Sequence, residues 1–362
     1  MKTWKIKEQD LESIAIGAGI LGTGGGGNPH VGKLMANRLL REGLDVEVVA
    51  LNDVPDEWRI CTVGGMGAPT VTIEKLPRGT ESVGAVRALE SHVGHRIDAL
   101  IPAEIGGGNS IEPMIAAARM GIPIIDADGM GRAFPTLPMI TYFIYSLSCF
   151  PCAVCDDKGN QIVYPSGVNV HWLERLTRSA AVEMGGHAAC AVAYMSGADA
   201  RRTAIAGTLS WAREIGEKVR GARQRHSDSI ISEILSATDG TVLFEGKIVD
   251  VDRRTADGWV RGRVQMEGAQ AYAGSEMTIS FQNENLIAWR DGIVVATVPD
   301  LICIVNSDDG EPVTTEMLRY GYRVSVLGIP CSPKLRTPEA LEVVGPRAFG
   351  YELAFQPLED LA

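Results

Sequence analysis

The segment from Ala99 to Arg132 constrains the fold more than any other part of the chain. Ala99–Ala103 reads as an apolar strand, Ile111–Met120 as a helix closed by Gly121, and Ile122–Ile125 as a second strand. Such a run is a βαβ unit, in which the helix carries the chain back and leaves the two strands parallel. Parallel strands share a direction, so the loops that follow them open on one edge of the sheet. These loops are Glu104-Ile105-Gly106-Gly107-Gly108-Asn109-Ser110 and Asp126-Ala127-Asp128-Gly129-Met130-Gly131-Arg132. Ligands of open α/β sheets sit outside the carboxyl ends of the strands. If the second strand persists, Asp126 and Asp128 lie two apart and share one face.

Upstream, Leu11–Leu21 reads as a helix with Asp10 as its N-cap. It runs into Gly22-Thr23-Gly24-Gly25-Gly26-Gly27-Asn28-Pro29. Four consecutive glycines cost backbone entropy and add no packing. One reason to keep them is a nest of N–H groups facing a ligand, and the competing reading is a plain flexible connection. His30–Glu42 then reads as a helix with Pro29 in its first turn and Gly43 as its C-cap. Strands follow at Val46–Ala50 and Ile60–Val63, the second leading into a glycine-rich turn, Gly64 to Thr70, and Thr80–Val93 is a helix.

Beyond Pro138 the pattern changes. Met139–Leu147 reads as a buried helix and Asp156–Asn160 as a turn, with helices again at His171–Gly185 and Gly207–Val219. From Thr241 short β-rich runs take over: Val242–Asp252, Trp259–Met266, Met277–Phe281, Leu286–Trp289, Ile293–Thr297, Leu301–Asn306 and Val324–Leu327. Asp291-Gly292 between two apolar runs is a two-residue hairpin signal. The expectation is an α/β N-terminal domain, residues 1–165, with glycine-rich loops at strand ends and the candidate site. An α+β, β-rich C-terminal domain, residues 166–362, follows it.

Charge and composition exclude several functions. The 362 residues carry a net charge of −11 without a Lys/Arg run, which argues against binding nucleic acid through its phosphates. No stretch is apolar for the roughly 20 residues that a membrane helix needs, and Met1–Lys7 lacks the apolar core of a signal peptide. Seven scattered cysteines suit a reducing cytoplasm. Cys149, Cys152 and Cys155 have the spacing of a metal half-site, but no second half-site is near and their neighbours are apolar, so they are expected to bind nothing. His-Glu-x-x-His, Gly-x-Ser-x-Gly and P-loop patterns are absent. No cofactor is expected, though a metal held by carboxylates alone stays open.

Acid/base chemistry remains. Glu104, Asp126 and Asp128 are carboxylates at strand ends, beside turns rich in N–H donors, an arrangement suited to hydrolysis or proton transfer on a small polar molecule. Arg132 is either a fork for a substrate carboxylate or a structural partner for an aspartate. His30, next to the glycine run, is either a substrate contact or a solvated cap residue.

Several long motifs, in order, resemble the S-methyl thiohydantoin desulfurase family. They are Gly22–Pro29, Gly64-Gly65-Met66-Gly67-Ala68-Pro69-Thr70-Val71, Glu74–Pro77, Asp126–Pro135, Gly207–Ser210, Phe281–Asn285, Pro299–Cys303 and Gly345–Tyr351. The resemblance implies hydrolysis of the exocyclic C–S bond of an S-alkyl thiohydantoin to hydantoin and thiol, in the breakdown of sulfur-containing histidine derivatives. It would make Asp128 the base, Asp126 its partner and Glu104 an orienting group, with Arg132 on a substrate carboxylate. Gly24, Gly25, Gly26, Gly27, Asn28, His30, Met66, Gly67 and Asn109 would line the substrate. Thr136 stands where the family pattern leads us to expect glutamate. Two alternatives stay open: a ring-opening amidohydrolase for hydantoin or oxoproline, or its partner subunit, and a non-catalytic nucleotide- or anion-binding module. The expected partner is a small molecule, and a homo-oligomer or a hydantoinase-type partner chain is left open.

Overall fold

The computed structural model describes residues 2–361 apart from 68–70, 72–74, 228, 257 and 258, and no side chain between 255 and 259. The chain forms two compact units that alternate along the sequence. The first comprises Met1–Glu12, Gly27–Gly131 and Thr136–Ser210; the second comprises Ser13–Gly26, Arg132–Pro135 and Trp211–Ala362.

The first unit holds a nine-stranded mixed sheet. Its strands are β1 (Thr3–Lys5), β2 (Glu47–Ala50), β3 (Arg59–Gly67), β4 (Ala99–Pro102), β5 (Ile124–Asp128), β6 (Cys152–Cys155), β7 (Gln161–Tyr164), β8 (His187–Ser196) and β9 (Ile205–Ala206). They lie in the order β1-β2-β5-β4-β3-β8-β6-β7, with β9 beside β5. Strands β2, β5, β4 and β3 are mutually parallel, as the βαβ reading requires. Strand β8 runs antiparallel to β3, so its first residue lies where β3 ends. The helices Glu81–Val93 and Glu112–Met120 pack on this sheet through Val86, Leu89, Ile115 and Ala116, all buried. Both end at a glycine with positive φ, Gly94 and Gly121.

Several expectations change here. Asp10 lies inside the helix Glu8–Leu21 and caps it from within, its Oδ2 accepting the Lys7 N–H at 2.8 Å. Gly64-Gly65-Met66-Gly67 is strand rather than turn: β3 runs on through it, paired residue by residue with β8. The rest of the expected turn, residues 68–70, lies outside the described residues. The Met139–Leu147 helix shrinks to Thr141–Ile144 after a short 3₁₀ turn, and β6, β7 and β8 were not anticipated.

The second unit is β-rich. Strands β10 (Thr241–Ala256), β11 (Trp259–Gly268), β12 (Glu276–Gln282), β13 (Glu284–Arg290), β14 (Ile293–Thr297), β15 (Leu301–Asn306) and β16 (Arg323–Ile329) form one antiparallel sheet. Its order is β14-β13-β12-β11-β10-β16-β15. Asp291 and Gly292 both take positive φ, 51° and 80°, the geometry of the anticipated hairpin turn. Phe244, Val264, Ile279, Phe281, Ile302 and Val326 form the buried core of the sheet. Among the described residues no helix is long and apolar enough to cross a membrane.

Candidate active site

The carboxyl ends of β3, β4 and β5 gather most of the anticipated polar residues. Glu104 follows β4 and is 5% exposed; its Oε1 accepts the Asn109 Nδ2–H at 2.6 Å. Asn109 turns its own Oδ1 to the Gly65 N–H at 2.8 Å, which ties the loop after β4 to the end of β3. The Gly108 N–H donates to the Gly27 carbonyl at 3.0 Å, so the end of the glycine run is fastened to the same loop. Asn28 folds back locally, accepting the His30 N–H at 2.9 Å, and the His30 side chain is exposed.

The two aspartates share a strand face but not partners. Asp126 accepts from Ser210, from its N–H at 3.0 Å and its hydroxyl at 2.5 Å. The Gly207-Thr208-Leu209-Ser210 motif thus closes over the end of β5. Asp128 is wholly buried, and its Oδ2 accepts three backbone N–H groups: Ile105 at 2.8 Å, Met130 at 3.0 Å and Gly131 at 2.8 Å. Among the described residues its Oδ1 has no hydrogen-bond partner; the Thr208 hydroxyl is close enough to favour the carboxylate but makes no well-formed bond. Burial raises the Asp128 pKa to about 7 despite these donors, and Asp126 is not among the causes. The raised pKa is therefore an effect of desolvation and not of a neighbouring carboxylate. A base must reach the proton it removes, and a carboxylate with no exposed surface and three loop N–H groups on one oxygen holds the loop's shape instead.

Arg132 belongs to the second unit and has no exposed surface. Its five N–H groups all have acceptors: Nε donates to Ala133 O, one terminal nitrogen to Pro299 O and Asp300 O, the other to Thr23 Oγ1 and Asn285 O, at 2.8–3.1 Å. The Phe134 ring covers the guanidinium at 4.7 Å. No donor is left for a substrate carboxylate, so the fork reading gives way to a structural one. Gly24, Gly25 and Gly26 belong to the same unit. The Gly24 carbonyl accepts from Thr315, the Thr23 carbonyl from Asn285, and a Cβ on Gly25 would run into the Glu284 carboxylate. The run packs on Phe281-Gln282-Asn283-Glu284-Asn285, and close backbone approach explains these three glycines without a ligand.

Strand alternation also moves Met66. It is 6% exposed and packs with Cys149, Cys152, Val154, Leu173 and Cys190, on the face opposite Gly65 and Gly67. The cysteines separate for the same reason. Cys152 lies 3.5 Å from Cys190 in that apolar cluster, whereas Cys155 faces the other way, against Gly84. Among the described residues no three His, Cys, Asp or Glu side chains come together as a metal site would require.

Sequence reasoning missed His187. It opens β8 opposite Gly67, and its Nε2 would lie 2.7 Å from a Cβ placed on Gly65. The signal that could have found it is the alternation Gly65-x-Gly67: on one strand face, Gly65 leaves room for a ring from the neighbouring strand and Gly67 for that strand's backbone.

A mixed α/β sheet in the N-terminal region, followed by a β-rich C-terminal half, defines a two-domain α/β-plus-β protein. Family models describe both halves. The S-Me-THD-like N-terminal domain matches residues 9–166, and the S-Me-THD-like C-terminal domain matches residues 168–358. The chain belongs to the S-Me-THD-like family. Its fold is similar to the crystal structure of a protein from Chromobacterium violaceum, a structural-genomics target, with 22% identity and a TM-score of 0.80 over 98% of this chain and 100% of that one. No curated protein matches the chain.

Proposed function

We propose that the protein is a thiohydantoin desulfurase-type hydrolase, which cleaves the exocyclic C–S bond of an S-alkyl thiohydantoin and releases hydantoin and a thiol. The observation that carries this reading is the pair of family models, which together span almost the whole chain. The Glu104–Asn109 arrangement at the strand ends supports it chemically.

The reaction is an addition and an elimination. Water adds across the ring C=N bond at the carbon bearing sulfur, so a proton leaves the water and a ring nitrogen gains one. The C–S bond then breaks, the new hydroxyl becomes a carbonyl, and the departing thiolate takes up the proton released. Such a path needs an acid/base group at the strand ends and fixed dipoles around the ring. In this proposal Glu104 carries the negative charge next to the reacting carbon, and Asn109, held by Glu104 and Gly65, keeps that carboxylate in place. Asp126 and Ser210 form the adjoining wall. The test is incubation with an S-methyl thiohydantoin acid, reading thiol with a thiol reagent and hydantoin by mass spectrometry. Equal yields of both are expected; no release above buffer sinks the proposal.

A further inference from the structure

We infer that His187 is the group that takes the proton from the attacking water and returns it to the departing thiolate. This rests on the desulfurase reading and adds to it a proton carrier that the three carboxylates do not supply.

The placement comes from the sheet. His187 pairs with Gly67 across the β3–β8 ladder, and Gly65 lies two residues away on the same face of β3. The point where a Gly65 Cβ would stand is 2.7 Å from His187 Nε2 and 3.2 Å from Asn109 Oδ1. The imidazole therefore occupies space vacated by a missing side chain, directly beside the amide that Glu104 holds at 2.6 Å. Neither ring nitrogen has a hydrogen-bond partner among the described residues, and the side chain is half-buried.

Three charged groups act on the ring, with Glu104 set farther off. Glu81 stands at the start of its helix, with its carboxylate accepting the Arg78 and Thr80 N–H groups. Lys75 donates to the Met184 carbonyl at 3.1 Å and pairs with Asp157 at 2.6 Å, and Glu104 lies across Asn109. Burial lowers the His187 pKa from its ordinary 6.5; Glu81 raises it, Lys75 lowers it and Asp157 raises it to smaller extents. The ring is thus neutral at pH 7 and ready to accept a proton. Nε2 takes one from water as the C–O bond forms, and the imidazolium returns it to sulfur as the C–S bond breaks, while the second proton of that water passes from the new hydroxyl to the ring nitrogen as the carbonyl forms. Protons balance over the cycle, and no further reactant is needed.

The test is the pH dependence of thiol release by the full chain. In the wild type, kcat/KM should fall on the acid side with a midpoint below 6.5, because protonation removes the base. His187→Ala and His187→Gln should lower kcat by at least about 10²-fold, the usual worth of a general base, and should lose that acid limb. Free imidazole should restore part of the His187→Ala rate, which a merely structural role would not allow. A wild-type rate that shows no acid limb down to the pH at which the protein unfolds overturns the inference without any variant. So does a His187→Ala protein with the wild-type rate and acid limb, while leaving the desulfurase reading intact. A wild type that releases no thiol at all overturns both.

Discussion

Two clusters of glycines and charged residues in this chain resemble each other in sequence and differ in what their atoms are doing. At the ends of β3, β4 and β5, Glu104, Asn109 and His187 are arranged around Gly65, and the imidazole has no hydrogen-bond partner among the described residues. In the second unit, Arg132 and Gly24–Gly26 meet Asn285, Asp300 and Thr315, and the guanidinium has every N–H engaged. A cluster whose donors are all engaged is a joint of the fold. A cluster that keeps a half-buried donor or acceptor in reserve has something left to offer a ligand.

The largest expected effect breaks this comparison if it fails. Arg132→Ala leaves four backbone carbonyls and a threonine hydroxyl without a donor and should destabilise the protein by about 3–5 kcal/mol, as removing one partner from a buried charged network does. Arg132→Lys should not rescue it, since an ammonium group offers three donors without the planar fork. Urea denaturation measures both. An Arg132→Ala protein of wild-type stability with a raised KM would restore the substrate fork.

Next in size, Glu104→Gln should fold normally and lower kcat for thiol release by about 10²-fold. An unchanged rate would remove Glu104 from the proposed site and leave Asp126 as the carboxylate to test.

A third prediction concerns Asp128, whose folded pKa of about 7 lies above the ordinary 3.8. Between those values the folded state binds more protons than the unfolded one, so this group's contribution is full below pH 4 and is lost as pH rises toward 7. The slope cannot exceed about 1.4 kcal/mol per pH unit. Asp128→Asn keeps an acceptor for the three N–H groups and should flatten that part of the stability profile, read as urea midpoints from pH 4.5 to 8. A variant with the wild-type slope would show that another group titrates there.

The smallest effect is at Cys152. Cys152→Ala should leave thiol release within a few-fold, since the thiol packs in an apolar cluster beside Cys190. Stoichiometric zinc or iron that disappears with this substitution would contradict that reading.

The sequence was most legible where apolar runs rich in β-branched residues are bounded by turn residues. All seven strands of the second sheet could be read this way, with Ile293–Thr297 and Leu301–Asn306 bounded as expected. Strand β8 was illegible because alanines replace such residues. His187-Ala-Ala-Cys-Ala-Val-Ala-Tyr-Met-Ser196 is buried on both faces over most of its length, so it lacks a period of two, and its small side chains suit a helix equally well. The end of β3 was hidden by its glycines, which signal a turn in sequence but here admit a neighbour's ring. Arg132 was misread because its acceptors are mostly backbone carbonyls, which every residue has and no sequence displays. For the carboxylates the loops were legible and the orientations were not. Asp128 and Glu104 both follow apolar strands, and only tertiary hydrogen bonding separates a loop brace from a site residue.

The segment Arg132–Pro135 has a consequence for how the chain is made. It is a four-residue excursion into the second unit, flanked on both sides by residues of the first. Of the Arg132 acceptors, Thr23 and Ala133 have been synthesised by the time residue 166 emerges, while Asn285, Pro299 and Asp300 lie 153, 167 and 168 residues downstream of the arginine. A fragment cut between the two family domains would carry a guanidinium made to be dry with most of its acceptors missing. The halves recognised in sequence are therefore not halves that can be expressed alone. On the ribosome, Arg132 must stay hydrated until the last third of the chain arrives.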